Sequence, residues 1–464
     1  MPPSHTTSRR SFLRASVLTS AVFGSERALT AAETRQSSLH QGSAKNVIFM
    51  VSDGMNHGAL SLAKQFRTLT AQKETNWMRL YRERPVVRSL VETFSANSCV
   101  TDSAAAASAW GGGTRVNNGT LNMTPGAKAP VRTLQEKVHQ SGRKVGLVTT
   151  ATITHATPAG FAANIGDRGK EEDIARQYLD RRIDVLLGGG QKFFSPSLLR
   201  DYSAAGYQLA GSRDTLMRMA HDSMTPLLGI FTEGYLPMTI DRENVKDLQD
   251  QVPTLPEMAQ AALDRLQHAP EGFFLMIEGA RIDHAGHAND AAASVHEQLA
   301  FDDAIGVALA FVDKNPDTLL IITTDHGCGG IQMNGVNADP KQGFAPGIYN
   351  ASIPFFDRLR GFNRSIEWMK QNGVGGLSGP KLAESLKQYT GLSLTEQQIK
   401  DAQGLKLSVS DIFQSHTGVG WTSGNHTGEL VEFCAFGPGS QRFPAFQENR
   451  EIHARMLQAM EISA

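Results

Sequence analysis

Five short apolar runs, separated by helix-like stretches, constrain the fold of this chain more than any other feature. They occupy residues 46–52 (NVIFMVS), 144–150 (KVGLVTT), 183–187 (IDVLL), 272–277 (GFFLMI) and 318–324 (TLLIITT). Each is almost continuously hydrophobic and rich in β-branched residues. That is the composition of a strand covered on both faces, not of one with a face in water. The intervening segments 131–141, 254–268 and 291–314 read as helices. Gly142 stops the first and Asn315-Pro316 ends the last. Strand and helix alternate, which predicts an α/β fold with a large, mostly parallel central β-sheet flanked by helices on both faces.

The ends of these runs carry the chemistry. Three of them close on a carboxylate: Asp53, Glu278 and Asp325. Open parallel sheets place their sites beyond the carboxyl ends of the strands. Three acids gathered there repel one another unless cations hold them. The segment EGARIDHAGH, from Glu278 to His287, packs four candidate ligands into ten residues. Asp283 and His287 are four apart, so one helical turn sets both on one side. Aspartate oxygen and histidine nitrogen suit zinc, and Glu278, an oxygen ligand at a strand end, suits magnesium. In TTDHG, Asp325 and His326 reach one site only if the backbone turns sharply, which Gly327 permits. Late in the chain, SGNHTG offers His426 between glycines.

The segment TDSAAAASAW begins like a helix. Thr101 or Asp102 can cap it, and Ser103 falls in its first turn, where free N–H groups and the dipole favour an anion. A serine there can be phosphorylated and its phosphate held. Its hydroxyl needs activation, and an adjacent metal supplies that without a Ser-His-Asp triad.

Composition narrows the partners. The 45 basic and 46 acidic residues nearly cancel, so charge gives no reason to expect nucleic acid or a membrane surface. Cys99, Cys328 and Cys434 are too far apart for a CxxC zinc motif, and no pair is singled out for a disulfide. At the N-terminus, SRRSFLR precedes a mildly apolar stretch at 15–24 and small residues at 28–32. This reads as a twin-arginine export signal over residues 1–32, followed by a linker over 33–44. The apolar stretch is far shorter than the ~20 residues of a membrane span. Residues 45–464 are read as a single domain, with the irregular 346–420 stretch an insertion or lid.

Taken in order, Asp53-Gly54-Met55, Thr101-Asp102-Ser103-Ala104, His155-Ala156-Thr157-Pro158-Ala159, Glu278 through His287, Asp325-His326-Gly327 and Gly424-Asn425-His426-Thr427-Gly428 resemble the alkaline phosphatase family. The resemblance covers residues 45 to 436. It implies hydrolysis of small phosphate monoesters through a phosphoserine at Ser103, with two Zn2+ and one Mg2+. Asp283, His287 and His426 would hold the first zinc, and Asp53, Asp325 and His326 the second. Asp53 would bridge to magnesium, joined by Thr157 and Glu278. Arg168 falls at the spacing of the family's phosphate-clamping arginine, and His155 and His284 at positions beside the metal ligands that vary within the family. A homodimer is a further implication, while the periplasmic or secreted location follows from the twin-arginine reading of the N-terminus. Within the same superfamily, a phosphodiesterase or sulfatase is an alternative. So, from another class, is a metal- or phosphate-binding protein without turnover. Thr157 with Glu278 favours the three-metal monoesterase, and Ser103 at a helix start is not needed for binding alone. His57 has no role that the sequence assigns.

Overall fold

Side chains alternate across a strand, so a run buried on both faces feeds two cores at once. The computed structural model shows this in its first strand, β1 (Asn46–Val51). There Ile48 and Met50 enter one apolar cluster and Val47, Phe49 and Val51 the other. Residues 42–126, 128–219, 225–337, 349–350, 353–406 and 408–463 are described. The proposed export signal and most of the linker lie outside them.

Nine further strands complete the central sheet: β2 (Val87–Glu92), β3 (Lys144–Thr152), β4 (Val185–Gly189), β5 (Gln208–Ala210), β6 (Leu227–Ile230), β7 (Phe273–Glu278), β8 (Thr318–Thr323), β9 (Val431–Phe436) and β10 (Phe446–Glu448). Their order across the sheet is β10-β2-β9-β8-β1-β7-β3-β4-β6-β5. From β8 through β5 every pairing is parallel. Only β9 runs against the rest, antiparallel to both β8 and β2. The sheet is therefore the mostly parallel one that the alternating pattern predicts.

Helices cover both faces. On one side lie α1 (His57–Ala71), α5 (Leu255–Leu266), α6 (Arg281–His287) and α7 (Ala291–Lys314). On the other lie α2 (Ser103–Gly112), α3 (Leu134–Gln140), α4 (Ala156–Ala162) and α10 (Asn449–Ala459). The expected helices fall at α3, α5 and α7. Capping boxes start the first two, at Thr133 with Glu136 and at Thr254 with Glu257, and Gly142 follows α3 with φ +83°, as a helix stop requires. Within the described part of 346–420, helices including α8 (Ile366–Gln371) and α9 (Glu396–Asp401) join the same apolar cluster as α7, and the Ile366 N–H donates to Asp290, the N-cap of α7. No described helix is long and apolar enough to cross a membrane.

Candidate metal centre and nucleophile

Strand register gathers the acids. Val51 of β1 lies opposite Glu278 of β7 on one side and Thr323 of β8 on the other. Asp53, Glu278 and Asp325 therefore emerge side by side at the carboxyl edge, all fully buried. Gly54 makes the next step possible. Its φ is +71°, and a Cβ there would lie 2.7 Å from the Cα of Asp283, so the turn after β1 packs directly on α6. The Gly54 N–H donates to Asp325 Oδ1 at 3.1 Å. Both oxygens of Asp53, Glu278 Oε1 and Asp283 Oδ1 are buried without a hydrogen-bond partner. Buried carboxylate oxygens left this way are costly unless a cation takes them.

The residues converge as three sets. In the first, His287 Nε2 lies 3.3 Å from Asp283 Oδ2, and His426 Nε2 lies 3.5 Å from Asp283 Oδ1. Each histidine donates its Nδ1–H to a carbonyl, His287 to Gly424 at 2.8 Å and His426 to Thr101 at 2.9 Å. That fixes the tautomer and leaves both Nε2 lone pairs, 3.1 Å apart, facing one point, as metal-ligating histidines do. In the second set, His326 Nε2 is 3.0 Å from Asp325 and 3.9 Å from Asp53. The third brings Asp53, Glu278 and His155 together, with one ligand atom of each within 4.8 Å of the others. Thr157, in the first turn of α4, is buried beside Glu278. Oxygen and imidazole donors in such groups fit divalent cations.

The electrostatics agree. Burial, then repulsion from Asp325, Asp283 and Glu278, pushes the Asp53 carboxyl well above its ordinary range. Burial raises Glu278 to about 7 against the pull of the Thr149 and Thr157 hydroxyls. Burial also opposes ionisation of Asp283, but His287, His326 and His426 outweigh it and hold that group well below the usual range. Asp53 and Glu278 thus resist ionising alongside Asp283 and Asp325 unless a cation joins them.

Ser103 opens α2 as expected, and Asp102 is the cap, accepting from Ala105 N–H. The serine is buried, with Oγ 3.3 Å from His326 Nε2. Arg168 reaches in from a loop. Its Nη1 donates to Asp102 Oδ2 at 3.0 Å and its Nη2 to His155 Nε2 at 3.1 Å. Each terminal nitrogen keeps one further N–H to offer. Burial, then the Arg168 charge, lowers His155 to about 3, so the ring is neutral. His284 stands apart from the ligand sets: its Nδ1 accepts from Arg281 at 2.7 Å and its ring lies over Tyr235.

One expectation needs revision. Gly327 does not bend the chain through a positive φ, which instead falls at Gly329 and Gly330. A Cβ at Gly327 would lie 2.1 Å from Glu429 Oε1 and 2.4 Å from Thr427 Oγ1, so a side chain there would displace both groups. His155, expected beside the metal ligands, has a ring nitrogen within 4.8 Å of a carboxylate oxygen of Asp53 and of Glu278. Sequence reasoning also passed over Asp102 as the anchor of Arg168, Thr149 as a donor to Glu278 at 2.5 Å, and Cys328 beside the first set. Cys328 lies two residues beyond His326, a signal that could have been read. Tyr235 had none.

Comparison with known proteins agrees with this geometry. Residues 44–462 match the family model for alkaline phosphatase. Alkaline phosphatase 3 of Bacillus subtilis is 31% identical over 443 residues, covering 91% of this chain and 90% of its own. The repressible alkaline phosphatase of Saccharomyces cerevisiae is 34% identical, covering 84% of this chain and 76% of its own. The crystal structure of Thermus thermophilus alkaline phosphatase superposes with a TM-score of 0.81 at 30% identity, covering 92% of this chain and 94% of that one. That of a cold-active alkaline phosphatase from a Shewanella species gives 0.76 at 28%, covering 89% and 99%. The chain belongs to the alkaline phosphatase family and is a phosphoric monoester hydrolase.

Proposed function

We propose that this enzyme hydrolyses small phosphate monoesters by transferring the phosphoryl group first to Ser103 and then to water. One observation carries the reading: the Ser103 hydroxyl lies at a helix N-terminus, 3.3 Å from His326 Nε2, with Arg168 anchored on the neighbouring Asp102. Asp283, His287 and His426 would hold one zinc ion, and Asp53, Asp325 and His326 a second. Magnesium would be held by Asp53, Glu278 and Thr157, with His155 beside it. When bound, these cations supply positive charge that favours ionised serine and offsets charge on the leaving oxygen.

The chain's own groups do the rest. The α2 N–H groups and dipole favour the phosphate. Arg168 offers its two remaining terminal N–H groups to two phosphoryl oxygens, a match that a planar fork makes and a point charge does not. Asp102 keeps that fork aimed. The Ser103 oxygen then attacks in line, the ester oxygen departs, and water displaces phosphate from the serine in a second in-line step.

Two in-line displacements give net retention. A substrate made chiral at phosphorus should yield product of retained configuration, and inversion would eliminate the phosphoserine. Activity on p-nitrophenyl phosphate far above that on bis-p-nitrophenyl phosphate separates the monoesterase from a diesterase. The N-terminal SRRSFLR segment supports delivery to the periplasm or beyond by the twin-arginine route. We also propose that residues 45–464 act as one domain with 346–420 as its lid, and that the enzyme pairs as a homodimer.

A further inference from the structure

Cys328 and Cys434 are both buried, but in different company. Cys434 belongs to the apolar cluster on one face of the sheet, whereas Cys328, 1% exposed, belongs to neither cluster. A free cysteine that serves as a small hydrophobe packs among apolar side chains. Cys328 instead lies among ligands. It sits in a two-residue strand, Gly327–Cys328, antiparallel to His426–Thr427, with Cys328 directly opposite His426. Directly opposed residues send their side chains to the same face. Its Sγ and one ligand atom each of Asp283, His287 and His426 all lie within 4.8 Å of one another. Asp283, 5% exposed, has no hydrogen-bond partner at Oδ1, which lies 3.5 Å from His426 Nε2, and the Cys328 thiol faces the same carboxylate. Space for the thiol is made by Gly286, where a Cβ would lie 2.9 Å from Cys328 Cβ and 3.0 Å from Sγ.

We propose that Cys328 is a fourth protein ligand to the cation held by Asp283, His287 and His426. The inference rests on the reading of those three as a metal set. As the sulfur–metal bond forms, the thiol proton leaves to solvent and the sulfur binds as thiolate. A set with two imidazoles, one carboxylate and one thiolate selects a zinc-like ion over magnesium. Zinc expands to five-coordinate, so a position stays open for a substrate oxygen.

Full-length protein stripped by a chelator and reloaded with Co2+ gives the test. The wild type should show an intense near-ultraviolet sulfur-to-cobalt charge-transfer band, and Cys328→Ser should lose it while keeping the weaker visible bands of nitrogen- and oxygen-bound cobalt. In a zinc competition titration, the variant should bind more than about 100-fold more weakly, beyond the roughly 10–100-fold that loss of a non-ligating neighbour costs. Cobalt bound without the sulfur band overturns the proposal and leaves the three-residue metal set intact. A band that persists in the variant also overturns it, since the sulfur is then another cysteine. Failure to bind cobalt at all overturns the proposal together with the metal reading beneath it. Should the variant fail to fold, X-ray absorption of the zinc-loaded wild type decides. A sulfur scatterer at about 2.3 Å supports the proposal, and nitrogen and oxygen alone at about 2.0–2.1 Å refute it.

Discussion

Arg168 is aimed before any substrate arrives, because Asp102 and His155 each take one of its terminal nitrogens. Lysine carries the same charge without the fork. Arg168→Lys should therefore lower kcat/KM by about 30-fold, the equivalent of about 2 kcal/mol for a lost charge-assisted hydrogen bond, with bound metal unchanged. Steady-state kinetics alongside elemental analysis checks both halves. His57 makes a separate prediction. Contacts with Glu429 and Glu432 outweigh partial burial and raise its imidazole to about 9. A raised folded value means that this contribution to stability is complete below about 6.5 and is lost as pH climbs through 9. The difference in Tm between wild type and His57→Gln should thus shrink steadily between pH 6.5 and 9.5, and a constant difference would count against it. No local pattern announced this role, because both glutamates come from the far end of the chain and only the sheet brings them near.

Among elements, α8 carries the clearest load. Asp241 accepts from Ser365 N–H at 2.8 Å, and Asp290 accepts from Ile366 N–H at 2.6 Å while also capping α7 through Ala293. Glu367 pairs at 2.7 Å with Arg281, which is almost wholly buried and also touches His284. Asp290 and Glu367 thus fasten this helix to the segment that bears Asp283 and His287, and Asp241 ties its first turn to the separate helix Thr239–Asn244. Removing Glu367 strands a buried guanidinium. Glu367→Ala should cost about 2–3 kcal/mol in chemical denaturation and weaken metal retention through α6. A loss below about 0.5 kcal/mol would show that solvent already satisfies Arg281. The sequence disclosed the β1, β3, β4, β7 and β8 strands because both-face burial writes itself locally as a continuous apolar run. It placed the carboxylates Asp53, Glu278 and Asp325 at one edge because they sit where those runs stop. It did not disclose β9, where Glu432 interrupts an otherwise apolar strand. That carboxylate is tolerated because Tyr81 and Arg88 bond it at 2.6 and 2.8 Å and His57 lies 3.6 Å away, partners visible only after folding. The packing of 346–420 escaped for the same reason: its anchors lie outside the segment.

For the molecule as a whole, the dry acidic edge makes cations part of the folded state. A site loaded at a thousandfold excess over its Kd adds about 4 kcal/mol, so chelation should lower Tm by about 5–10 °C, and adding divalent metal back should restore it. Calorimetry on stripped and reloaded protein reads this directly, and an unchanged Tm after verified stripping would contradict it. Timing follows from where the ligands lie in the chain. Asp53 is made early and His426 close to the end, on the short ribbon that pairs it with Cys328. A nascent chain halted at residue 425 would already possess the whole parallel run from β8 to β5, yet its first cation cage would lack a wall. On the proposed ligand set, that cage closes only once His426 has been made, so a fragment stopping short of it should fail to hold the first ion.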